Sequence, residues 1–203
     1  MKKLFGILTA LVALSAVAED RMPPIPLDKM TPDQRGPAEE IIKGPRGALY
    51  GPFLPLIRSP ELMDRSSKMG EYLRYHSAIG NRLSELVILI VARQWSQQVE
   101  WYLHESIALK VGIKPDVVKA ISEGRRPDDL TADEQIVYAF SSEMNVNHSV
   151  SDTTYALAKK RFGEKGVVDM LGLNGYYTYL AIIMNGTQTE NPDNAKPLKA
   201  LIR

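Results

Sequence analysis

The sequence predicts an all-α fold, on three observations. Helix-start signatures recur along the chain: Thr31-Pro32, Ser59-Pro60, Lys114-Pro115 and the capping box Thr131-x-x-Glu134. Two stretches, 82–95 and 164–184, are apolar almost all the way round a helix, the mark of buried helices. The β-branched run inside 82–95 would also suit a strand, but no partner strand is legible elsewhere.

The elements follow in order. Residues 1–18, MKKLFGILTALVALSAVA, place two lysines before an apolar run from Leu4 to Leu14 and end on Ala16-Val17-Ala18. This is the pattern of a signal peptide cut after Ala18, and it implies a periplasmic or secreted protein. The run is short for a bilayer span, and no later run is expected to cross a membrane. Residues 19–44 form an N-terminal arm, proline-rich over RMPPIPLDKM, and a short helix from Thr31-Pro32 to about Lys43. GPRGALYGPFLP (44–55) reads as loop, with enough apolar residues to lie packed over something. A helix follows from Ser59-Pro60 to about Ser77, and Gly80-Asn81 breaks it. The helix 82–95 comes next, then one carrying QVEWYLHESIALK that ends at Gly112. A short helix runs from Lys114-Pro115 to Gly124, and another from the Thr131 box to about Asn145. Ser151 or Asp152 caps the next one, and 164–184 is the second buried helix. Residues 191–203 form a polar tail.

Composition narrows the function. The chain has 203 residues, 44% hydrophobic and 24% charged, which is enough for one core. Losing Lys2 and Lys3 with the leader leaves the 25 Lys+Arg and 24 Asp+Glu close to balance. A near-neutral protein shows no electrostatic footprint for nucleic acid. There is no cysteine, so disulfides and thiol nucleophiles are excluded.

The chemistry-bearing residues concentrate in QQVEWYLHE, 97–105. Gln97, Glu100 and His104 fall at helical spacings that put them on one face. Glu85 stands alone as an acid inside the apolar helix, where a buried carboxylate needs a partner. His104 is the natural one, with Arg82 and Arg93 as alternative partners for Glu85 or Glu100. His76 reads as a helix-end histidine and His148 as a loop residue near a cap. Glu100, His104 and Glu105 offer metal ligands, but there is no H-E-x-x-H and no third ligand is evident, so no metal is expected. No nucleophile elbow or phosphate loop is present.

The stretch RLSELVILIVARQWSQQVEWYLHESIALKVGI resembles the core of the carboxymuconolactone decarboxylase family, which includes AhpD-like peroxidases. The peroxidase branch carries E-x11-C-x2-C-x3-H. The same register here reads Glu85-x11-Gln97-x2-Glu100-x3-His104, with both cysteine positions replaced. GPFLPLIRSPEL, EYLRYHSAIGNRLSEL and VSDTTYALAKKRFGEKGVVDMLGLNGYYTYLAIIMNG are similar to cysteine-free members, so the resemblance covers a domain of about 45–190. It implies an all-α, AhpD-like bundle that assembles into homo-trimers or hexamers, with sites near subunit contacts. Thiol peroxidase chemistry needs an attacking and a resolving thiol, which this chain lacks.

What remains is proton chemistry. The resemblance implies a cofactor-free lyase acting on a small carboxylated ring or lactone. Decarboxylation leaves an extended enolate that must be protonated at carbon, and histidine titrates in the right range. The expected catalytic set is His104, Glu85 and Glu100. Gln97, Trp101, Tyr102, Arg74 and Arg82 are the expected substrate contacts, the two arginines toward an anion. Two alternatives stand beside it: another proton-transfer enzyme (isomerase or hydrolase) on the same site, and a non-enzymatic exported binding or scaffold protein. An enzyme predicts a pocket reached by both Glu85 and His104.

Overall fold

A computed structural model describes residues 20–192 and 195–199. The signal-peptide reading of 1–18 lies outside the described residues. A 3-10 turn at Leu27–Lys29 precedes α1 (Pro32–Lys43), α2 (Phe53–Leu56), α3 (Pro60–Tyr75), α4 (Asn81–Gln94), α5 (Gln98–Lys110), α6 (Pro115–Ser122), α7 (Ala132–Asn147) and α8 (Asp152–Thr187). No strand occurs among the described residues.

The centre of the bundle is α4, which packs on α5, α7 and α8. Every residue from Leu83 to Arg93 is buried. A helix surrounded on all sides needs apolar residues all round, which is why its sequence shows no polar face. The second apolar stretch is the later part of α8. Gly163 adopts φ 70° and breaks the helical dihedrals there, so the element is two helices meeting at a kink. After it, Val167, Met170, Leu173, Tyr177, Leu180 and Met184 enter the core.

Capping fixes several boundaries. Thr31 Oγ1 accepts from the Gln34 amide while Gln34 Oε1 accepts from the Thr31 amide, a reciprocal box that starts α1. The Thr131–Glu134 box starts α7 in the same way. Ser151 Oγ accepts from the Thr154 amide at the start of α8.

Three expectations need correction. The segment 44–55 is not all loop: its last residues open α2, a single turn whose Phe53 and Leu56 enter the core. Ser59 precedes α3 without a side-chain capping bond, and Pro60 at the first helical position sets the start instead. By length and composition α8 is apolar enough to cross a membrane, contrary to the sequence reading. More than half of its most apolar window is buried inside the bundle, as in the core helix of a soluble protein. The tail folds back onto the bundle: the Leu198 amide donates to Gln98 Oε1 at 2.7 Å, and Arg93 Nη2 donates to the Lys199 carbonyl at 2.7 Å.

Candidate functional site

A tight turn between α4 and α5 builds the site. Trp95 ends α4, Ser96 takes φ 47°, and Gln97 returns to extended backbone as the N-cap of α5. The two helices then pack against each other, which brings Glu85 on α4 to His104 on α5.

Four charged side chains form a buried chain. Arg74 Nε, from the end of α3, donates to Glu85 Oε1 at 3.1 Å. Glu85 Oε2 accepts from His104 Nδ1 at 2.6 Å. On the other side of the ring, His104 Nε2 lies 3.3 Å from Glu100 Oε2. Glu85 is 0% exposed and His104 5%; Arg74 and Glu100 are also buried. Two cations and two anions alternate, so the quartet is neutral when His104 is an imidazolium. With a carboxylate against each nitrogen, both nitrogens are donors, which is the imidazolium pattern.

The electrostatics run the same way. Burial alone would push the Glu85 carboxyl up, but the charge and hydrogen bond of His104, with Arg74 behind, hold it below the usual carboxylate range. Burial alone would lower His104, but Glu85 and Glu100 outweigh it and raise the imidazole above its ordinary value. Arg74 is raised despite its burial by the negative charge of Glu85 bonded to its Nε. The Tyr177 ring meets the His104 ring edge-on, 5.3 Å between centroids, and burial pushes the Tyr177 hydroxyl well up.

The remaining sequence candidates fall in different places. Gln97 is not on the helical stripe with Glu100 and His104. It caps the helix: its Oε1 accepts from the Glu100 amide at 3.0 Å, and its Nε2 donates to Asn185 Oδ1 at 3.2 Å. Trp101 is buried in the core cluster. Tyr102 is 36% exposed and does not wall a buried site. Arg74 touches Glu85, so its Nε is already engaged by a protein carboxylate. Arg82 joins Glu134 across α4 and α7, and neither it nor Arg93 partners Glu85. His76 ends α3 and His148 ends α7 in a left-handed conformation, both exposed.

Sequence reasoning missed Tyr177 and Asn185. The Gly-Tyr-Tyr-Thr-Tyr run of α8 is the one signal that pointed to the tyrosine, and it is equally the signal of a core helix. Of five clefts in the described surface, none is lined by Glu85, Glu100 or His104. Gln97 lines one, of about 580 Å³, together with Gln98, Met184, Asn185 and Gln188. Gln97 therefore stands between this cleft and the first turn of α5, where it holds the Glu100 backbone amide.

This arrangement sits on a known architecture. The structure is similar to the crystal structure of an alkylhydroperoxidase AhpD core, an uncharacterized peroxidase-related protein from Ralstonia eutropha JMP134. The TM-score is 0.69 at 15% identity, over 85% of this chain and 92% of that one. It is equally similar to an uncharacterized peroxidase-related protein from Silicibacter sp. TM1040, with a TM-score of 0.69 at 13% identity over 88% and 95% of the two chains. No protein-family model matches the sequence, and no curated protein matches it. The chain has an AhpD-like, all-α fold, and it has that fold without a cysteine.

Proposed function

We propose that this protein is an exported, cofactor-free lyase of the carboxymuconolactone decarboxylase type, with His104 as the proton donor to a small carboxylated ring or lactone. The observation that carries the reading is the two-sided carboxylate clasp on His104. Glu85, ionised and backed by Arg74, holds the Nδ1 proton at the shorter contact. The looser contact, at Nε2, is the end that gives up its proton. After loss of carbon dioxide the substrate is an enolate, and the Nε2 proton moves to its carbon. The neutral imidazole then regains a proton from solvent, with the Glu100 carboxylate beside Nε2 as the group that passes it on. An isomerase or hydrolase would use the same relay with a different bond broken. No step needs a thiol.

A second reading rests on a specific observation: Glu85 and His104 are buried, and none of the five clefts described above has either in its lining. On that reading the quartet is a buried structural network in a binding or scaffold protein. The test is a screen of carboxylated lactones and ring acids with carbon dioxide release as readout, followed by His104→Gln on any substrate found. Catalysis predicts a fall in turnover per folded molecule of roughly 10²–10⁴-fold, the usual worth of general acid–base catalysis. Unchanged turnover in folded His104→Gln protein removes His104 from the reaction.

A further inference from the structure

Away from the quartet, a cleft of about 550 Å³ opens where the end of α4 meets α7 and α8. Six of its ten described lining residues carry a hydrogen-bonding side chain: Gln94, Trp95, Asn145, His148, Asn174 and Thr178. The described lining holds no aspartate, glutamate, lysine or arginine. Charged side chains begin beyond Gln94 and Asn145, which also belong to a smaller cleft of about 180 Å³ lined by Arg93 and Arg125.

Hydrogen bonds fix the amides of this wall. Asn174, 3% exposed, donates from Nδ2 to the Met170 carbonyl at 2.8 Å and to Ser141 Oγ at 3.1 Å. Asn145 Nδ2 donates to the Ser141 carbonyl at 2.8 Å and to Asn174 Oδ1 at 2.7 Å. A carbonyl can only accept, so each amide has one allowed orientation, and both hydrogens of Asn145 Nδ2 are spent. What Asn145 has left to offer a ligand is Oδ1, an acceptor. The Thr178 hydroxyl can donate or accept. Trp95, 37% exposed, adds a flat apolar ring surface with an N–H donor at its edge.

These groups select a ligand by what they exclude. An ion would leave water for a wall that offers it no counter-charge. A bare apolar ring would displace water from amides and a hydroxyl without pairing them, at about 1–3 kcal/mol for each group left unpaired. A neutral ring edged with hydroxyls meets neither objection. Each hydroxyl both donates and accepts, and the C–H face of the ring can lie on the indole. The volume falls in the ordinary range of small-molecule sites, with room for a mono- or disaccharide.

We infer that this cleft is a binding site for a neutral sugar, a mono- or disaccharide, with Trp95 against the ring and Asn145 and Thr178 on its hydroxyls. The site is independent of the proton-transfer reading: no member of the quartet lines it, and its test needs no turnover. The chain has two tryptophans, and Trp101 is buried in the core, so a ligand-dependent change in tryptophan emission reports on Trp95. The full-length protein is titrated with glucose, galactose, mannose, maltose and cellobiose, with glucuronate as the charged counterpart and benzamide as the flat one. At least one sugar should change the emission saturably, and glucuronate and benzamide should bind more weakly than that sugar. Calorimetry on Trp95→Leu and Thr178→Val should find its affinity lowered about tenfold in each, the worth of one contact of this kind. Both substitutions lie at the cleft surface, so melting temperatures near that of the wild type separate lost binding from lost folding. Silence from all five sugars up to about 10 mM, the range of a weak site, overturns the inference. Undiminished affinity in either variant does the same. Tighter binding of glucuronate would move the ligand to the arginine-lined cleft, and tighter binding of benzamide would make this a site for planar rings; either result overturns a neutral sugar site.

Discussion

At the scale of single residues, charge order governs the site. Glu85 is held low, so what it contributes is present above its ordinary value of 4.5 and is lost as pH falls through its folded value. His104 is held high, so its contribution is complete below its ordinary 6.5 and is lost as pH rises through its folded value. Both are complete together between about 4.5 and 6.5. The melting-temperature gap between wild type and His104→Gln should therefore be widest in that window and narrow toward pH 9. A gap that widens with alkali would contradict the assignment of charge. Arg74 offers a sharper change. Arg74→Met removes the guanidinium that bonds Glu85, and breaking a buried pair from one side costs about 3–5 kcal/mol. Chemical denaturation should find a loss of that order, and a loss near zero would mean that water reaches Glu85. Gly70→Ala sets a methyl group 2.2 Å from the Tyr176 hydroxyl. Overpacking of this kind typically costs about 1–3 kcal/mol, to be read in the same denaturation experiment.

At the scale of elements, the α4–α5 turn sets the register of the quartet. Gln97→Ala removes the cap of α5 and should cost about 1 kcal/mol, with amide exchange faster over the first turn of that helix. Unchanged exchange at Glu100 would show that the cap is not needed. Much of this was legible in the sequence. The Thr31 N-cap and the Thr131 box are local chemistry and both appear in the structure, although Ser59 makes no capping bond. Glu85 stood out because one acid in an apolar helix has few explanations. Other features were not legible, for physical reasons. Gln97 lies at a spacing that suits a helical stripe, but the left-handed Ser96 ends one helix and starts another, and spacing rules do not cross such a break. Arg74 lies eleven residues from Glu85, and only the packing of α3 on α4 reveals the pair. Tyr177 looks like any core aromatic until the ring beside it proves to be His104.

At the scale of the whole molecule, the bundle keeps apolar surface to spare. Val168, Leu171 and Ile182 on α8 are exposed, as are Leu62 and Met69 on α3. Exposed apolar side chains in such number along helices favour contact between subunits, and homo-trimers or hexamers are the proposed state because the family resemblance implies them. Light scattering should find an oligomer at micromolar concentration, and a well-behaved monomer would refute it. Export is a proposal of the same standing: mass spectrometry of exported protein should give a chain starting at Glu19, and a chain starting at Met1 would refute it. The whole account depends on one charge at its centre, the proton on His104. The most direct measurement is the 15N spectrum of histidine-labelled protein across pH. The account predicts that both ring nitrogens of His104 stay protonated at pH values above the ordinary 6.5 of a histidine. A His104 ring that is already a neutral tautomer at or below that value would contradict the imidazolium, and with it the proton delivery proposed for this site.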